Sequence, residues 1–188
     1  MIKSPIILIA LFSIILPKYS FSQTAQKIIE NNWVWHAIGV DKISQPFVLK
    51  KQIKVAIIDD GFDIENPLWM NNIAVNEKEI PGNNIDDDKN GKTDDFQGWD
   101  FGDNDEDVKP DIKNVDKQVH GTKVLGVFWQ TLQQCVGTTI SAIHILPIKA
   151  VSDIKMNNYV MEGYKGIEYA IEQNADIISF QEFYNDTT

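Results

Sequence analysis

The period of the apolar positions changes several times along this chain. Pro5 to Leu16 is an almost unbroken apolar run, too short to span a bilayer comfortably. Met1-Ile2-Lys3 puts one positive charge before it, and Ser20-Phe21-Ser22 follows with small residues at −3 and −1. Residues 1–22 therefore read as a secretory signal peptide cleaved before Gln23. The competing reading is a hydrophobic N-terminal anchor, but no cysteine near the cleavage point offers a lipid attachment, and no stable membrane anchor is expected. Thr24 to Asn32 reads as a short helix, with Trp33, Trp35 and His36 after it as packing anchors for a later sheet. Val55 to Ile58 is continuously apolar, as a parallel strand covered on both faces should be. Ile143 to Ala150, interrupted by Pro147, and Asp176 to Phe180 are two further strands. Helical spacing of Val124, Val127, Phe128 and Leu132 predicts a helix from Gly121 to about Gln133. Val160, Tyr164, Ile167 and Ile171 do the same for Tyr159 to Gln173. Strand, long connection, helix, strand, helix, strand is the order of an α/β doubly wound sheet.

Composition narrows the partners. At 188 residues the chain can bury one sizeable core. A net charge of −10 argues against nucleic acid, since nothing could neutralise a run of phosphates, and against anionic membrane surfaces. Cys135 is the only cysteine, so no intramolecular disulfide can form. It reads as a small buried hydrophobe, because Gln133 and Gln134 supply no charge to activate a thiol.

Between Glu77 and Asp116 lie roughly half of the chain's acids. Asp86, Asp88, Asn90 and Gly91 match the first half of an EF-hand loop, with alternate oxygen ligands and glycine at the sharp turn. Asp94 falls at the ninth position, but the twelfth is Gln97 and no helix leads in. Clustered carboxylates repel one another unless neutralised, so Ca2+ held by Asp86, Asp88, Asn90 and Asp94 is one expectation. A solvated acidic loop is the other.

Two short stretches carry the chemistry. Val55-Ala56-Ile57-Ile58-Asp59-Asp60-Gly61 is a strand ending in acid and a glycine turn, and His120-Gly121-Thr122-Lys123-Val124-Leu125-Gly126 puts a histidine at a helix start. Acyl transfer by a serine enzyme needs a carboxylate to hold an imidazole in one tautomer, and that imidazole to deprotonate the serine. Sites of this kind gather at the carboxyl ends of parallel strands, where Asp59 lies. His120 would face the same edge, and Gly121 would allow close helix packing. Both stretches resemble the aspartate and histidine motifs of the subtilisin-like serine proteases, the subtilases, in that family's order. Asn84-Ile85-Asp86-Asp87-Asp88-Lys89-Asn90-Gly91, Gly98-Trp99-Asp100-Phe101 and Ile145-Leu146-Pro147-Ile148-Lys149 are similar to further subtilase segments, as are Ala170-Ile171 and Ala175-Asp176-Ile177-Ile178.

The resemblance implies a three-layer αβα fold around a mainly parallel sheet, with 53–188 a partial catalytic domain and 23–52 an extension leading into it. It implies catalytic roles for Asp59 and His120 and a peptide or protein substrate. Some positions depart from the family pattern. Asp60 stands where many members have Ser or Thr, though the kexin-like branch also has Asp. Val119, Lys123 and Leu125 replace the usual neighbours of the histidine, and Ser179-Phe180-Gln181-Glu182-Phe183 replaces Asn-Met-Ser-x-Gly. The oxyanion-hole asparagine and the Gly-Thr-Ser-Met-Ala-x-Pro nucleophile motif have no counterpart, and Ser141, Ser152 and Ser179 are the only serines after His120. The expectation is the N-terminal portion of a secreted serine endopeptidase, truncated after the third core strand and inactive alone. The alternative is a non-catalytic exported module that binds peptide or calcium. Ile57-Ile58-Asp59-Asp60 also resembles a receiver domain's first strand, but that reading conflicts with export and leaves the histidine motif unexplained.

Overall fold

A computed structural model of the chain describes residues 36–37, 39, 42, 49–110, 120–154 and 159–180. The signal peptide, the helix over Thr24–Asn32, Trp33, Trp35, Val119 and Gln181–Phe183 lie outside the described residues, as does the side chain of Cys135. His36 is described and exposed. The chain divides into Met1–Gln45 and Pro46–Thr188, and the sheet and its two helices belong to the second unit.

Four strands form one sheet in the order β2-β3-β1-β4. They are β1 (Ile53–Asp59), β2 (Trp99–Asp100), β3 (Ile143–Lys149) and β4 (Ile177–Phe180). All three strand pairings are parallel, with Val55 opposite both Ile145 and Ile177. Helix α1 (His120–Val136) follows the long acidic connection, and helix α2 (Tyr159–Glu172) joins β3 to β4. From β1 the chain runs to β2 at the far edge, returns as β3 beside β1, then crosses over β1 to β4. β1 thus lies where the direction of winding reverses, and the crevice beyond its carboxyl end is where such sheets place their sites.

Side chains alternate between the sheet's two faces. Ala56, Ile58, Leu146 and Ile148 share a buried cluster with Trp99, Tyr169 and Ala170 on the α2 side. On the other face Gly121 of α1 lies against Asp59. The sheet has helices on both faces, the three-layer arrangement expected.

Among the described side chains, the helices bury only part of the faces their hydrophobic spacing predicts: Val124, Phe128, Leu132 and Ile167 are half-buried, with Ile167 packed on the core. In α1 the buried positions are Gly121, Leu125 and Trp129, while Val127 is 66% exposed. In α2 they are Gly163, Gly166, Tyr169 and Ala170, while Tyr164 and Ile171 are exposed. The reason is size. A Cβ on Gly166 would lie 2.9 Å from Ile148 Cγ2, and one on Gly163 would strike the Phe180 ring. Small residues let α2 approach the strands closely, with Tyr169 buried beside them and Tyr164 and Ile171 turned outward.

Pro147 is accommodated without loss. In a parallel strand alternate residues bond to opposite neighbours. The carbonyls of Ile145 and Lys149 accept from Ala74 and Phe101, on the β2 side. Pro147, between them, points the same way, towards Gly98, and β2 begins only at Trp99. Its missing N–H would have had no ladder partner.

Candidate active site

β1 delivers Asp59 to the sheet edge with no solvent exposure. Gly61 then turns the chain at φ +139°, and a Cβ there would lie 3.0 Å from Pro110 Cα, so both conformation and space require glycine. α1 begins at His120 on the facing side. A Cβ on Gly121 would lie 2.5 Å from the Gly61 carbonyl oxygen and 2.9 Å from Asp59 Cβ. Only a residue without a side chain lets this helix end come so close to the strand end.

The closeness brings His120 Nδ1 to 2.9 and 3.0 Å from the two oxygens of Asp59. An ionised carboxylate can only accept, so the proton lies on Nδ1 and the basic ring nitrogen is Nε2. The His120 side chain is 39% exposed against 0% for Asp59. Burial pushes the Asp59 carboxyl up to about 6, against the lowering effect of the His120 hydrogen bond and the Asp60 amide. Asp60 accepts from the backbone N–H groups of Gly121 at 2.8 Å and His120 at 3.2 Å. Thr122 Oγ1 accepts from the Asp63 amide at 2.9 Å.

The three later serines lie in different settings. Ser141 is exposed in the 3-10 turn Gly137–Ala142, the buried Ser152 hydroxyl donates to Asp103, and Ser179 sits in β4. Of the departures near the histidine, Lys123 is exposed, whereas Leu125 is fully buried and fills core space.

The acidic connection brings together Asp86 and Asp88, as the loop motif suggests, but adds Glu79 to them, with one oxygen of each within 4.8 Å of the others. Asp94 directs its two oxygens to the amides of Asn83 and Asn84. The Asn90 side chain spans Asp95 and the Lys92 amide. Glu79 accepts from the amides of Asp88 and Asp94 and is itself buried. Three converging carboxylates are a hard-oxygen donor set that fits a Ca2+ ion. Nothing in the sequence pointed to Glu79, since it stands seven positions before the motif.

A second acid group, Asp100, Asp103 and Asp153, also lay outside the sequence-based assignments. Fully buried Lys149 puts Nζ 2.9 Å from Asp100 and 2.6 Å from Asp153, so the ammonium is the local cation. Burial pushes the Asp100 carboxyl up to about 7, opposed by Lys149. Burial pushes Lys149 down, but its hydrogen bonds to Asp153 and Asp100 outweigh that and hold it above its ordinary value.

Comparison with known proteins agrees with this arrangement. The sequence model of the subtilase family matches residues 50–180. Subtilisin-like protease 1 of Plasmodium vivax is 33% identical over 139 residues, covering 70% of this chain and 21% of that protein. The protein of the same name from Plasmodium berghei (strain Anka) is 31% identical over 137 residues, covering 69% and 22%. That of Plasmodium falciparum (isolate 3D7) is 29% identical over 137 residues, covering 69% and 19%. The chain spans about a fifth of the length of these curated relatives.

Proposed function

The chain belongs to the subtilase family, and on that premise we propose that it carries the acid–base half of a subtilisin-like serine endopeptidase. The observation that carries this reading is the contact of His120 Nδ1 with both oxygens of Asp59. In the reaction, His120 Nε2 takes the proton of a serine hydroxyl as its oxygen attacks a peptide carbonyl. It then returns the proton to the leaving amine. Asp59 holds the ring in the required tautomer and stabilises the imidazolium. The substrate is a peptide or protein chain.

The nucleophile serine and the oxyanion-hole asparagine have no motif within these 188 residues. The chain alone is therefore inactive, and hydrolysis requires a serine supplied by further sequence. The test has two arms. The purified chain, incubated with casein and a fluorophosphonate probe, is expected to neither cleave nor become labelled; labelling that disappears in H120A would contradict inactivity. In the gene, a Gly-Thr-Ser motif is expected beyond codon 188 in some reading frame. Well over a hundred following codons without one would remove support for the endopeptidase reading.

Export belongs to the same proposal: residues 1–22 direct the chain out of the cytoplasm and are removed before Gln23. Among the described residues no helix is long and apolar enough to cross a membrane. Mass determination of the N-terminus of the exported product tests the cleavage point. A second reading, a non-catalytic exported module binding peptide or calcium, is favoured by the grouping of Glu79, Asp86 and Asp88. Under either reading Ca2+ is held by these three carboxylates, with Asn90 and Asp94 on the loop around it. There the ion would neutralise their mutual repulsion and fix the loop.

A further inference from the structure

We propose that Asp60 is a positioning residue that holds His120 in place against Asp59. The first amides of a helix have no acceptor within the helix. In α1 the N–H groups of His120 and Gly121 donate to the two oxygens of Asp60, at 3.2 and 2.8 Å. The acceptor comes from the turn after β1, sixty positions earlier in the chain, rather than from the residue before the helix. Asp60's own N–H donates to Asp59 Oδ1 at 2.8 Å. One residue therefore holds the carboxylate that orients the imidazole and also the backbone that carries it.

Geometry and charge act together here. Asp60 is 7% exposed, so its carboxylate is shielded from solvent and committed to these amides. Its negative charge meets the positive end of the helix dipole. The neutral Ser or Thr common in subtilases at this position could accept a hydrogen bond but could not supply this charge.

The proposal deepens the endopeptidase reading and rests on it only for what His120 does afterwards. Its test uses the full chain without substrate. Proton NMR of the imidazole Nδ1–H, with His36 and His144 assigned through single His→Gln variants, reports the Asp59–His120 contact directly. D60N is expected to shift the His120 Nδ1 proton upfield as that contact lengthens. D60A is expected to speed hydrogen exchange at the His120 and Gly121 amides at least about tenfold. D63N, which removes a nearby charge without touching those amides, should leave their exchange unchanged. If D60A proves too unstable to map, D60S takes its place. A His120 Nδ1 proton unchanged in D60N, or exchange unchanged in D60A or D60S, would overturn the proposal. So would a D60N chain that no longer folds, since Asp60 would then be a general structural cap. Neither readout involves a serine, so failure of the endopeptidase reading and failure of this proposal remain distinguishable.

Discussion

Asp59 has no contact with water, and an ionised carboxylate in that setting is unfavourable unless neighbours compensate. His120 and the Asp60 amide compensate only in part, which leaves the Asp59 carboxyl at about 6 against an ordinary 3.8. Between those values the folded chain binds more protons than the unfolded one, so stability falls as pH rises through this window. Asn at position 59 never ionises. D59N should therefore melt above the parent at pH 8, by about a few degrees, with the gap closing below pH ~4. A D59N chain that melts lower at pH 8 would contradict this balance. Lys149 is instead a buried charge that its neighbours require. K149M would leave Asp100 and Asp153 facing each other without a cation, and is expected to cost about 3–5 kcal/mol in urea unfolding, part of it recovered in K149M/D100N. At this scale the sequence was informative only where residue type and position in an element coincided. Asp59 ends an apolar strand and His120 opens a helix, so both could be identified. Glu79 and Lys149 take their surroundings from chain segments far away in sequence, and no local pattern marks them.

Between elements, the approach of α1 to β1 depends on one missing side chain. G121A would gain helix propensity of about 1 kcal/mol. Its Cβ, however, would meet the Gly61 carbonyl oxygen at 2.5 Å and Asp59 Cβ at 2.9 Å. The expected net effect is destabilisation by about 1–3 kcal/mol, together with a longer Asp59–His120 hydrogen bond. Gly126, on the same helix, has nothing within 4 Å of its would-be Cβ. G126A should thus stabilise by about 0.5–1 kcal/mol. Chemical denaturation of the two variants side by side separates packing from propensity, and equal shifts would contradict the packing argument. The strands were legible because β1, β3 and β4 are apolar runs of ordinary length. β2 was not, since two residues of Gly98-Trp99-Asp100-Phe101 carry no period. The buried faces of α1 and α2 were legible only in part. Hydrophobic spacing selects Ile167, which packs on the core, but also Tyr164 and Ile171, which are exposed, and it passes over Gly163, Gly166 and Ala170, which lie against the sheet.

Across the whole molecule, one turn of winding links the acidic connection to the site. That connection leaves β1 just past Asp59, carries Glu79, Asp86 and Asp88, supplies β2, and is followed by His120. Asn76 and Asn90 bind Asp95 within it, and the Lys92 ammonium lies 5.1 Å from the Tyr169 ring centre on α2. An ion that fixes the loop would thereby stabilise the folded chain, by about 2.7 kcal/mol at a hundredfold excess over its dissociation constant. Calcium should raise the melting temperature of the parent and do so less in E79Q; equal responses would remove Glu79 from the site. The family and the αβα layering were legible from the succession of elements and motifs. The approach of Glu79 to Asp86 and Asp88 was not, while the loop's own hydrogen bonds turn Asp94 towards Asn83 and Asn84. The central claim, that this fold pairs Asp59 with His120 for proton transfer, is tested most directly by proton NMR of the imidazole Nδ1–H. A strongly downfield His120 Nδ1 proton, present in the parent and lost in D59A, is the expected result. Absence of that proton in the parent, or its persistence in D59A, would contradict the pairing.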